Sequence, residues 1–446
     1  QMCIRDSSCM IPPWEKIVET KTCPITGEQF VVTDGDKTLY DKFEMWSPIY
    51  CPEESIRNMH AFRNEWGLYT RKCNKSWKTI LSQYSPDKPY PVYENNVWWS
   101  DDWSPFDYGR TYDFDRPFFD QYLELQHVVP REGATVFKSE NCDYNSHVRE
   151  SRDCYMCSLG HKNDQVYYSY WWLENISVFD CLMFNYCEQC YECIDIEECY
   201  GCTKSQELRN CRDCHFSYAL TGCDHCIACS NLSHKKYHIF NKEYPEEDFE
   251  KMKRKIFNGE DANWQVGCDH FDRIYRNALH NQYRNLKCEN VVGDYVLEGK
   301  DCFQVFDVRG CEKCRYSVSI WDSFNVTHSY SVGWNACKDV YMCSVVRGSN
   351  DVAMSFHVYY SDNIRYTDTC YSSQNLCGCV GIKSSSNCIL NTNYSQQEYD
   401  QLLLKIRDHM RSTGEWGSFF PYSHSPFAYN ESSAGDFMPL DTQGVQ

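Results

Sequence analysis

A mainly β chain built around two cysteine-rich parallel β-solenoid arrays of twelve-residue repeats is the fold class the sequence predicts, and three observations predict it. Like residues recur every twelve positions through residues 142–241. A second array repeats the template, with fewer thiols, through residues 288–391. Both arrays run into matching segments, HIFNKEYPEEDF at 238–249 and CILNTNYSQQEY at 388–399, an offset of 150 that marks an internal duplication. Identical columns at a short fixed period stack like on like, which a parallel solenoid achieves and an antiparallel meander does not.

In the first array every cysteine from Cys142 to Cys229 falls in one class modulo three. Position one of the repeat alternates Cys and Val, as in Val166, Val178, Cys190 and Cys202; position four mixes Cys and Ser, as in Cys181, Cys193, Ser205 and Ser217. Position seven is bulky, with Trp172, Phe184, Ile196 and Leu208, and position ten passes from Ser151, Asn163 and Asn175 to Cys187, Cys199, Cys211 and Cys223. Twelve residues at about 3.3 Å each close a coil of roughly 40 Å perimeter, too tight for large side chains at every inward position. Asn210, Asp213 and Asp224 supply turn chemistry beside the thiols. A wider coil of two repeats stays open, because Tyr218 with Leu220, and Val318 with Ile320, alternate like an ordinary strand.

The second array places Cys302, Cys314 and Val326 in position one and, after a two-residue insertion, Val340. Its tenth column reads Cys311, Ser323, Asn335, Ser349. Each array is expected to be closed by an amphipathic helix. In the second, Ser395 and Glu398 form a capping box and Leu402, Leu403 and Ile406 an apolar face.

Composition narrows the partners. The 446 residues carry 44 basic and 63 acidic side chains, a net charge of -19 that repels nucleic acid and anionic membrane surfaces. No apolar run approaches the roughly 18 residues a membrane helix needs. The expected partners are therefore a protein or a carbohydrate, with no nucleic acid and no membrane, in a cytoplasmic location; oligomeric state is left open. Residues 1–8, QMCIRDSS, read as sequencing-adapter read-through and are set aside with Cys3. The expected order is a leader (1–18), a ribbon-like module (19–97), an aromatic and acidic linker or cap (98–141), the first solenoid (142–241), a helical cap and connector (242–287), the second solenoid (288–391), and a helix with an aromatic C-terminal cap (392–446).

TCPITGEQF, YCPEES, RKCNKSWKTI and YSPDKPYPVYENNVWWSDDW, taken with the repeats, carry a resemblance. The chain from about residue 20 to 440 resembles proteins of environmental bacteria, of candidate-phyla type, that join two N-terminal zinc ribbons to a cysteine-rich repeat solenoid. The resemblance implies two C-x-x-C knuckles per ribbon. Here Cys23 is followed by Thr26, Cys51 by Glu54 and Cys73 by Ser76, and the fourth knuckle has become Glu94 to Val97. Three thiolates over two ribbons cannot close a four-ligand site. The array itself is similar to the twelve-residue coils of insect antifreeze proteins but lacks their Thr-x-Thr face, so ice binding does not carry over.

No zinc-hydrolase, nucleophile-elbow, dinucleotide or Walker signature is present; CGCVGIKS at 377–384 only imitates a phosphate loop. No catalytic residue is assigned, and His215, His238 and His357 read as surface or column fillers. The aromatic and acidic stretch at 98–122 reads as a cap over the open first coil, with carbohydrate binding as its functional alternative. The chemistry that remains is in the thiols. Positions ten and one are Cys together at 187/190, 199/202, 211/214, 223/226 and 311/314. Coils lie about 4.8 Å apart, so successive C-x-x-C turns could gather four sulfurs around zinc at about 2.3 Å. The candidate ligands are Cys187, Cys190, Cys199 and Cys202, then Cys211, Cys214, Cys223 and Cys226; packed free thiols and disulfides are the alternatives. Function is expected to be that of a non-catalytic repeat scaffold or binding protein, the alternative being a carbohydrate-active enzyme or carbohydrate-binding protein on the same scaffold.

Overall fold

The computed structural model describes residues 11, 12, 14–333 and 337–440; residues 1–8, with Cys3, and Asn335 lie outside them. Two short antiparallel hairpins come first, β1 (Ile17–Thr22) with β2 (Gln29–Thr33), then β3 (Tyr69–Lys72) with β4 (Thr79–Ser82). Between them lie α1 (Asp34–Lys42) and α2 (Pro52–Ala61). Thr33 and Asp36 close a reciprocal capping box on α1, and Pro52 opens α2, where its missing N–H costs no hydrogen bond.

Long parallel sheets make up the rest of a mainly β molecule. Val136 pairs with Val148, Gly160 with Trp172, Trp172 with Phe184 and Leu220 with Leu232, each step twelve residues long. A second set of strands keeps the same step, Val166 with Val178 and Cys214 with Cys226. One coil therefore closes every twelve residues, and the wider coil does not form. Pairing begins at Val136, half a coil before the expected start.

The tight closure has a backbone cause. In the coil around residue 190, Gln189, Glu192, Asp195 and Glu198 have φ of 54°, 50°, 53° and 53°. Each triplet is an inward residue, an outward one and a left-handed corner, so four corners return the chain to its start. A left-handed L-residue costs roughly 1–2 kcal/mol. Inter-coil hydrogen bonds offset that cost: the Lys162 N–H donates to the Arg149 carbonyl at 3.0 Å, and the Tyr170 N–H to the Cys181 carbonyl at 3.0 Å. Asn210 and Asp213 are corners as expected, with φ of 53° and 50°. Asp224 instead lies in a strand, and the corner is its neighbour His225, with φ of 56°.

The second array keeps the twelve-residue step from Phe303↔Arg315 to Gln374↔Ser386, but steps fourteen across residues 334–336, as in Val326↔Val340. Cys337, not Asn335, is the residue opposite Ser323 in the tenth column, because the inserted pair is absorbed ahead of it.

The arrays lie side by side and run in opposite senses. Arg149 of an early coil covers the ring of Tyr359 from a late one at 4.5 Å, and Glu197 of a late coil meets Arg309 of an early one at 3.0 Å. At the centre of this seam Arg63 and Glu65, both fully buried, pair at 2.6 Å. Glu65 accepts hydrogen bonds from Tyr170 of one array and from Tyr330 of the other, the latter at 2.5 Å.

The aromatic stretch 98–122 covers mainly the last coils of the second array, while Trp99 at its start packs on Phe137 of the first array's first coil at 5.4 Å. Gly109 lies against Asn391, the Arg110 N–H bonds the Leu390 carbonyl, and Phe118, which opens α3 (Phe118–Val128), packs on Tyr366. After the first array come α4 (Glu246–Ile256) and α5 (Asp261–Asn277); after the second comes α6 (Gln396–Ser412). The Ser395–Glu398 capping box is formed, Ile406 is fully buried, and Leu402 and Leu403 pack against the same core. Phe249 and Tyr399, matched by the duplication, both bury against the last coil of their array.

Candidate functional site

The eight cysteines expected at a metal site all point into the first solenoid, none more than 2 % exposed. They form two stacked columns, as the register of Cys214 on Cys226 shows. Each described cysteine is a free thiol. The Cys211 and Cys214 sulfurs donate to the carbonyls two residues back, Arg209 and Arg212, both at 3.3 Å, and approach Leu220 and Cys223 carbonyls at 3.5 and 3.6 Å. A tetrahedral zinc with bonds of about 2.3 Å needs sulfurs about 3.8 Å apart. Among the described residues no three sulfurs lie within 4.8 Å of one another. The columns stack rather than converge on a point. Within the stack, burial and thiol neighbours push Cys187 up, thiol neighbours and burial push Cys202, Cys214 and Cys223 up, and hydrogen bonds from neighbouring thiols pull Cys190, Cys211 and Cys226 down.

The exchange of Cys with Ser and Asn has a direct explanation. Positions one and seven lie in strands, where backbone pairs with backbone and Val, Ile or Leu suffices. At many of positions four and ten, chiefly where the preceding coil carries Ser or Asn, the inward N–H instead finds a side chain one coil earlier. The Cys157 N–H donates to Asn145 Oδ1 at 2.8 Å, that of Ser217 to Ser205 Oγ at 3.0 Å, and that of Cys193 to Cys181 Sγ at 3.3 Å. The second array repeats the device with Ser349 and Ser361. An unpaired buried N–H is expensive, so an acceptor is favoured there; hydroxyl and amide serve in both columns, and thiol serves at position four.

Outside the thiols, successive coils stack Tyr155, Tyr167, Phe179 and Tyr191 into one outward column. Tyr167 and Phe179 lie face to face, 4.8 Å apart and 11° from parallel. Phe179 is 41 % exposed and Tyr155 39 %, with Tyr144 and Tyr168 beside them. The later coils of this face are roofed by α4 and α5: Trp264 of α5 meets Tyr191 at 5.9 Å and Phe216 at 5.2 Å. Between the arrays a separate cleft of about 60 Å³ is lined by Trp171, Trp172, Trp321 and Tyr330, with Arg347 as its charged residue and no carboxylate.

In the ribbon-like module Cys73 Sγ accepts hydrogen bonds from the Ser76 and Glu94 N–H groups, both at 3.3 Å. Cys73 Sγ thus ties the turn that follows β3 to the segment at Glu94. Cys51 is pushed up to about 11, by burial first.

A cluster that the sequence reading missed sits on the outer side of the opening thiol turns. Ligand atoms of Asp213, His225 and Glu250 lie within 4.8 Å of one another. His215, read beforehand as a filler, is buried and holds Asp213 Oδ1 through Nε2 at 3.1 Å. His238 does fill an inward column, and His357 lies in the seam, 6.2 Å from His147. Asp213 and His225 were findable, being corners one repeat apart; Glu250 was not, because only the docking of α4 brings it in. No protein-family model matches the chain, and no curated protein matches it as a relative.

Proposed function

We propose that the protein is a non-catalytic scaffold whose first solenoid presents a docking face to a protein partner. The observation that carries this reading is the open aromatic column, Tyr155, Tyr167 and Phe179, on a regular parallel sheet whose continuation is roofed by the chain's own helices. Exposed aromatics at a rigid repeat are the residues from which protein interfaces draw most of their energy. The thiol columns are read as a packed, hydrogen-bonded core that makes this face stiff, and the hairpins at 17–82 as ribbons held without zinc. The carbohydrate reading gains less support. Tyr167 and Phe179 spend their ring faces on each other and offer edges, and the Trp-lined cleft lacks the two carboxylates a glycosidase requires.

The test compares the wild-type protein with a Tyr167→Ser, Phe179→Ser variant, each cross-linked in its native host and also offered a panel of soluble polysaccharides. A protein partner captured by the wild type and lost by a variant of equal melting temperature is the expected result. Release of reducing sugar, or polysaccharide binding that the variant loses, would overturn it in favour of the carbohydrate reading.

A further inference from the structure

We infer that Asp213, His225 and Glu250 form a binding site for one divalent transition-metal ion, zinc by preference, that pins α4 to the outside of the first solenoid. The inference stands apart from the scaffold reading and from the eight cysteines. Two ligands come from the solenoid itself: Asp213 and His225 are corner residues of adjacent coils, both left-handed, with φ of 50° and 56°. Their spacing is therefore fixed by the twelve-residue repeat. The third, Glu250, sits on α4 next to Phe249, whose fully buried ring fixes the helix against Ile227 and Ile239.

Three details prepare these atoms for a cation. First, the two oxygens of Asp213 are differently used. Oδ1 is held by His215 at 3.1 Å and by Lys253, whereas Oδ2 is buried with no hydrogen-bond partner among the described residues and faces His225 Nε2 at 3.6 Å, too far for a hydrogen bond. Second, His225 Nδ1 is bonded to the Asp224 carboxylate, which fixes the ring and directs Nε2 toward Asp213 and Glu250. A carboxylate behind the imidazole, with the other nitrogen free to ligate, is the arrangement that supports metal-bound histidine. Third, Glu250 makes no hydrogen bond or ion pair among the described residues, although it is half-buried beside another carboxylate.

Charge agrees. Asp213, Asp224 and Glu250 bring three negative charges to the cluster, and Lys253 and Lys236 contact two of them from outside, leaving Glu250 opposite Asp213 without a counter-ion among the described residues. One imidazole nitrogen and two carboxylate oxygens select zinc and its first-row neighbours over calcium or magnesium, which take oxygen alone. Three protein ligands leave the fourth position to water. The competing occupant of the gap is a proton on His225 Nε2, making an imidazolium between two carboxylates, and the experiment has to separate the two.

The full-length protein is stripped with chelator and titrated with Co²⁺, then with Zn²⁺ in competition. The expected result is about one Co²⁺ per chain with visible d–d bands and no thiolate-to-cobalt charge transfer. Zn²⁺ should displace it and protect the 257–260 loop from chymotrypsin cleavage after the exposed Phe257. His225→Ala and Glu250→Gln should each abolish binding and protection, and Asp224→Asn should weaken binding roughly 10–100-fold. Glu250→Gln leaves the solenoid untouched, so its stripped form should melt like the stripped wild type. Absence of cobalt binding by folded wild-type protein would overturn the proposal and favour the imidazolium. A charge-transfer band that survives His225→Ala would also overturn it, and would place the metal in the cysteine columns.

Discussion

The two solenoids use one backbone and fill it differently. Both step by twelve and both turn on a left-handed corner every third residue, yet one core is lined with cysteine and the other with valine and serine. Their outer faces differ more. Tyr191 and Tyr341 are matched by the duplication, but Tyr341 is fully buried beneath Tyr40 and Phe43 of the N-terminal module, whereas Tyr191 is 38 % exposed. In the same column Arg315 meets Glu15 and Asp36, while its counterpart Tyr167 stacks on Phe179 in the ladder. Duplication thus supplied two equal scaffolds, and the added segments closed one and left the other open. The inward columns obey the coil's own packing; the outward columns obey whatever covers them.

Four experiments would break or sharpen this comparison. The largest effect belongs to the residue both arrays share. Glu65→Leu leaves Arg63 buried without its partner and should cost about 3–5 kcal/mol in urea unfolding, whereas replacing Arg63 and Glu65 together by Met and Leu should cost far less. If the single change is mild, the arrays are not fastened through this pair. Next, Leu208→Ala and Ile320→Ala, both at fully buried position-seven sites, should each cost about 2–5 kcal/mol. Values that differ by more than about 2 kcal/mol would mean that the two cores collapse differently around a cavity.

Acid and alkali should separate the seam from the thiol core. Burial holds His60 and His357 down to about 3 and His147 well below its ordinary value, and all three lie where the arrays meet. Their stabilising effect is complete above pH 6.5 and is lost as pH falls toward about 3. A thiol raised to about 12, as Cys157 is, contributes fully below pH 9.0 and progressively less as pH rises toward 12. Hydrogen exchange should therefore accelerate first at residues 145–150 and 355–360 in acid, and first in the coils that hold Cys157 and Cys343 in alkali. Uniform acceleration in both arrays at either extreme would contradict the contrast. The smallest effect is expected for Cys211→Ser with Cys214→Ser, about 1 kcal/mol per site, since a hydroxyl can make the thiol's bonds to the same carbonyls. Val352→Ser in the second array should cost more than either, because position one there pairs backbone with backbone and has no need of a polar atom; thermal melts of the three variants decide it.

Much of this fold could be read directly. The modulo-three cysteines mark the inward positions, and the offset of 150 marks the duplication, because solenoid packing writes itself into sequence as period. The capping box at Ser395 needed only local rules. The seam did not show, since it is made of single contacts such as Glu65 with Tyr170 and Tyr330, drawn from three segments without a repeat. The placement of residues 98–122 was legible only in part for the same reason: Trp99 meets the first coil at Phe137, but nothing in the sequence says that the rest covers the second array. Asn335 was misplaced because an inserted pair can be absorbed at either side of a corner. Of the Asp213, His225 and Glu250 cluster, the two solenoid residues carry a periodic signal and the helical one carries none.

The left-handed corner has one more consequence, for how such a chain can change length. Because every third residue must accept positive φ, the protein has a structural reading frame of three. Deleting one residue ahead of Val166 would hand the corner role to Val166, Val178 and the inward cysteines after them, and β-branched side chains resist that conformation. Among the described corners of the arrays only Val345 and Thr369 are β-branched. Inserting one residue would instead turn corner residues such as Gln165 and Asp213 into the core. Loss or gain of a whole coil keeps both the frame and the faces. The fourteen-residue step of Val326↔Val340 marks a place where the frame has shifted, with corners at His328 and Ser331 before it and at Asp339 and Met342 after it.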